Sequence, residues 1–114
     1  RNSEHLNARA QFEASLELYQ QFGDVLGDAN CTKYLGDLAL RRSDYQEAWQ
    51  DFTKALELYR QVGALLGEAN CIRCLGECGL RQLDLESARR ALRRLSQSIG
   101  RSVMSKAGPI ASRV

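Results

Sequence analysis

The chain has 114 residues, with 44% hydrophobic and 26% charged side chains, which suits one soluble domain with a buried core and excludes global disorder. A net charge of +2 by itself argues neither for nucleic acid nor for a membrane surface, and no apolar run approaches the roughly 18 residues of a membrane span. One proline and nine glycines leave room for long helices and little for a turn-rich β fold, so the chain is predicted to be all-α.

In chain order, glycine and Asp-containing turns divide the sequence into helices over residues 3–22, 24–42, 44–62, 64–82 and 84–99. Gly23 and Gly63 mark one kind of turn; Ser43-Asp44 and Leu83-Asp84 mark the other, with an Asp able to accept orphan N–H bonds at a helix start. Residues 100–114 collect Ser and Gly-Pro and are predicted to form a flexible tail, so that a helical domain covers residues 1–99. Charge follows the same division. Residues 1–88 carry nine basic and fourteen acidic side chains, whereas residues 89–114 carry seven basic and none acidic.

An offset of 40 residues aligns residues 16–45 with residues 56–85, and 16 of those 30 positions are identical where chance gives about two. Extended upstream, the offset sets Ala8 beside Ala48 and Ala88, and Phe12 beside Phe52 and Leu92. The chain therefore starts within a repeat unit and holds about two and a half units. Each unit is two helices of roughly 19 residues, about 28 Å long. On a helical wheel Val25, Cys31, Thr32, Leu35, Leu38, Ala39 and Leu40 spread over an arc too wide for one neighbour to bury, so each helix needs partners on two sides. Gly36 and Gly76 predict a close approach of two helices, since a mid-helix glycine otherwise costs about 1 kcal/mol. The pattern is that of an α-solenoid of antiparallel helix hairpins.

These residues resemble the tetratricopeptide repeat family. Leu35-Gly36 and Leu75-Gly76 match its first-helix element; Ala48, Phe52 and Ala55 match its second, with Ala88, Leu92 and Leu95 in the last copy. Thr32, Ile72, Ala39 and Gly79 stand at its first-helix aromatic sites, its closing proline is missing, and the period of 40 exceeds the common 34. The longer unit is similar to the repeats of kinesin light chain, cell-polarity adaptors and sensor arrays of signalling NTPases. The resemblance implies a right-handed superhelix and a non-catalytic scaffold or adaptor that binds a peptide or partner helix in a concave groove, within a larger cytoplasmic signalling or regulatory protein. It implies no cofactor.

The predicted groove is the polar arc of Asn30, Lys33, Tyr34, Asp37 and Arg41, repeated as Asn70, Arg73, Cys74, Glu77 and Arg81. An Asn amide donates to and accepts from an extended backbone. The same arc also reads as a solvated face laced by Asp37–Arg41 and Glu77–Arg81 pairs. Asp37 and Glu77 stand where the family's clamp for a peptide carboxylate has Asn. Trp49 is either a contact anchor or a packing residue.

Among groups with chemistry, His5 has no nucleophile or acid assembled around it and reads as a packing residue, and no phosphate-binding glycine loop is present. Cys71, Cys74 and Cys78 share one side of a helix, but no fourth ligand completes a zinc site, and Cys71 repeats Cys31; they read as small buried residues, reduced in an intracellular setting. Arg89, Arg90, Arg93 and Arg94 beside Leu92, Leu95 and Ile99 form a basic amphipathic helix. It reads as the polar cap of the array, or as a surface for an acidic partner, anionic lipid or, less favoured, nucleic acid. Open repeat edges allow homo-oligomerisation as a further alternative.

Overall fold

The computed structural model describes residues 2–111, with side chains from residue 3 to residue 101. It is all-helical: α1 (Asn2–Phe22), α2 (Val25–Arg41), α3 (Tyr45–Val62) and α4 (Leu65–Ala111). The chain divides into two units, Arg1–Leu80 and Arg81–Val114.

Local chemistry sets the turns. Gly23 and Gly63 take left-handed φ values of 70° and 68°, which a glycine adopts without steric cost, and close α1 and α3. Asp24 then caps α2 by accepting from the Gly27 N–H at 2.9 Å. At the α2–α3 turn the left-handed residue is Ser43, at φ 63°, followed by Asp44, whose carboxylate accepts from the Glu47 N–H at 3.2 Å. Arg42 locks this turn by pairing with Asp44 and Glu47.

The equivalent turn at Leu83-Asp84 does not form, and α4 runs through it. Leu83 replaces Ser43, and a leucine strongly disfavours positive φ while favouring helix. Gln82 replaces Arg42 and Ser87 replaces Glu47, so the ion pairs that hold the first turn have no counterpart. The predicted fifth helix is thus the continuation of α4. Helix also extends past Gly100 to Ala111, where the composition predicts a tail; residues 112–114 of that tail lie outside the described residues. Gly100 alone costs about 1 kcal/mol, too little to stop a helix already propagating, whereas nothing in the structure explains the inclusion of Gly108-Pro109 near the end of α4.

Two clusters form the core of the first unit. Ala39, Leu40, Ala48, Phe52, Cys74 and Cys78 make one; Ala29, Ala55, Leu56, Tyr59 and Cys71 make the other, and Leu75 packs against both. Phe52 is fully buried between α2 and α4, because a β-carbon on Gly36 would come within 2.7 Å of its ring and Cys74 lies in the same cluster. Tyr19 and Tyr59 lie across Gly27 and Gly67 in the same way, at 2.3 and 2.4 Å from the position of a β-carbon. The glycines are what let neighbouring helices approach closely enough to bury these rings.

Candidate functional site: the polar stripe of α2 and α4

The predicted stripe residues occupy successive turns of α2 and of the first part of α4. Asn30, Tyr34, Arg41, Asn70, Arg73 and Arg81 are exposed, while Lys33, Asp37 and Glu77 are half-buried. The structure brings the two halves together at Asp37. Lys33 Nζ lies 3.2 Å from one Asp37 oxygen, and the Cys74 thiol points at the other from 4.0 Å. On α4, Arg73 pairs with Glu77 at 3.8 Å. Asp37 is thus held from the preceding turn by Lys33, where the sequence suggests Arg41 from the following one.

Two stripe residues are committed to packing as well. Asn30 Oδ1 accepts from the Tyr59 hydroxyl at 2.5 Å, leaving its amide N–H groups as donors. Tyr34 stacks on Phe12 of α1, with ring centroids 5.2 Å apart, and Lys33 Nζ sits 5.3 Å above the Tyr34 ring. Phe12 and Tyr59 are the neighbours that sequence reasoning misses. The signal was present in the offset itself: Phe12–Tyr34 is the upstream copy of the Phe52–Cys74 contact. Cys74 is buried where Tyr34 is exposed, so the aromatic element of the stripe occurs once.

Among the described residues none of the four cysteines is in a disulfide, and all four are buried. Burial pushes the Cys71 thiol up to about 11, with Cys74 adding to it, and raises Cys74 and Cys31 as well. These thiols are protonated near neutral pH and therefore poor nucleophiles. Burial likewise lifts Tyr59 to about 12, keeping its hydroxyl a donor to Asn30. Among the described residues no group of three or more His, Cys, Asp and Glu side chains has a metal-binding arrangement, and no helix is long and apolar enough to cross a membrane.

Elsewhere in the first unit, half-buried His5 lines a hollow of about 340 Å³ with Leu6, Arg9 and Arg42, and Trp49 is half-exposed. In the second unit, Arg89, Arg90 and Arg93 line a shallow hollow with Glu86; Arg94, Leu92, Leu95 and Ile99 are exposed too, so both the basic and the apolar face of this segment are open.

A family model described as tetratricopeptide repeat matches residues 1–61, which contain α1, α2 and most of α3. The chain belongs to the tetratricopeptide repeat family. Comparison with curated proteins and with solved structures gives no match. Within a tetratricopeptide array the elements seen here have defined parts: Gly36 and Phe52 join the two helices of one hairpin, and Phe52 and Cys74 join that hairpin to the next. Repeats of this family generally mediate protein–protein interaction.

Proposed function

We propose that the stripe of α2 and α4 holds an extended peptide segment of a protein partner, and that the chain acts as a non-catalytic adaptor in a cytoplasmic signalling or regulatory protein. The observation that carries this reading is the Asp37–Cys74 contact, which sets the stripe of α2 beside that of α4. Asn30, Tyr34, Asn70 and Arg73 then offer amide, aromatic and guanidinium groups to solvent along neighbouring helices. Lys33, Arg41, Arg73 and Arg81 outnumber Asp37 and Glu77, which favours an acidic peptide.

Binding to a panel of acidic, neutral and basic synthetic peptides, followed by fluorescence anisotropy, tests this. Acidic peptides bind best and lose affinity with salt, and Lys33→Glu with Arg73→Glu weakens capture by about tenfold or more while the helical circular dichroism signal stays. Equal binding by the double variant and the parent chain rejects the stripe as the site.

A further inference from the structure

The second unit departs from its own repeat in the charge of one row. Arg90, Arg94, Gln97 and Arg101 follow at intervals of four, three and four residues, so they form a single line about 16 Å long on the helix. All four are exposed. The same row is Gln50, Lys54, Glu57 and Gln61 in α3, and Ala10, Ala14, Glu17 and Gln21 in α1. These are exposed too, although α3 shares both core clusters of the first unit with its neighbours. The row therefore stays open on a helix whose opposite side is packed. On its own helix it stands about 160° away from Leu92, Leu95 and Ile99.

Charge along this row climbs from copy to copy: Glu17 alone gives −1 in α1, Lys54 with Glu57 gives 0 in α3, and three arginines give +3 in the second unit. Folding does not call for these arginines, since α3 forms with glutamine and lysine there and α1 with alanine. They even carry a cost. Arg90 and Arg94 are like charges one turn apart, Arg89 and Arg93 strengthen the same field, and no acidic residue follows Glu86 to offset it. Arg89, Arg90 and Arg93 also surround, with Glu86, a shallow hollow of about 330 Å³.

We infer that this row docks an acidic helix of a partner protein, one whose Glu or Asp side chains recur every three or four residues and so meet Arg90, Arg94 and Arg101 in register. A guanidinium takes a carboxylate through two parallel hydrogen bonds, which fixes orientation as well as charge. The row has no apolar side chain to enter a bilayer, and residues 81–114 contain no Phe, Tyr or Trp on which an unpaired base could stack. Repeats of this family generally join proteins, which agrees with an acidic polypeptide as the occupant. The site is separate from the stripe of α2 and α4 and does not depend on it.

Fluorescence anisotropy of a labelled Ala-rich helical peptide bearing Glu at every fourth position, titrated with the whole chain, tests this. The peptide binds, and its counterpart with Gln in place of Glu does not. Arg90→Gln with Arg94→Gln and Arg101→Gln lowers affinity about tenfold or more while the helical circular dichroism signal stays, since glutamine is close to arginine in helix propensity. In a Lys33→Glu, Arg73→Glu background, where the stripe is disabled, the peptide still binds and the three substitutions have the same effect. Binding that is lost in that background assigns the peptide to the stripe and overturns the inference. Equal affinity with and without the three arginines overturns it as well. Tighter binding of a single-stranded RNA, or of vesicles containing phosphatidylserine, than of the acidic peptide overturns the choice of a protein partner.

Discussion

Helix α2 and the first part of α4 are near-copies in sequence and differ sharply in environment. Ala29 is fully buried and Ala69 is exposed; Gly36 is pressed against a ring and Gly76 faces open space. Identical residues thus acquire opposite energetics according to whether a following helix lies against them. In a repeat fold, burial is a property of the neighbour as much as of the side chain.

The largest contrast lies at the aromatic position. Phe52→Ala should cost about 3 to 5 kcal/mol in urea unfolding, because it empties a fully enclosed site between three helices, whereas Phe12→Ala should cost less than half as much. Equal losses would mean that α1 is packed as completely as α3.

A smaller effect separates the copies electrostatically. Burial, with Glu47 beside it, raises the Asp51 carboxyl to about 6, while Lys54, Arg9 and Arg42 act the other way. The folded chain therefore keeps a proton between about pH 4 and pH 6 that the unfolded chain has released, and stability falls as pH rises through this window. Asp51→Asn should stabilise the chain at pH 7.5 by about 1 kcal/mol, the carboxyl being partly screened by solvent, and the gain should fade towards pH 4. A gain that is constant with pH would assign the effect to something other than ionisation. The upstream copy of this position is Gln11, so no such titration attends α1.

The hairpins were legible in the sequence because glycine, Asp caps and the 40-residue offset all report backbone geometry. Gly36 announced the close approach that Phe52 fills, and Asn30, Lys33 and Asp37 fell on one arc because the helical period is fixed. The continuation of α4 was harder to read. Asp84 preserves the capping residue, so the position looks like a turn, yet the turn depends on a left-handed Ser43 and on Arg42 pairing across to Glu47, and all three partners change in the second copy. The stripe was legible as a face but not in its bonding. Which hydroxyl Asn30 accepts from, and which of two flanking cations holds Asp37, depend on side chains brought in from other helices or on rotamers that spacing leaves open.

The most direct test compares the two glycines by chemical unfolding. Gly36→Ala forces a methyl group to within 2.7 Å of the Phe52 ring, so it should destabilise by about 1 to 3 kcal/mol. Gly76→Ala meets nothing and replaces a poor helix former, so it should stabilise by about 0.5 to 1 kcal/mol. Changes of the same sign at both positions would contradict the claim that one copy is enclosed by its neighbour and the other is not.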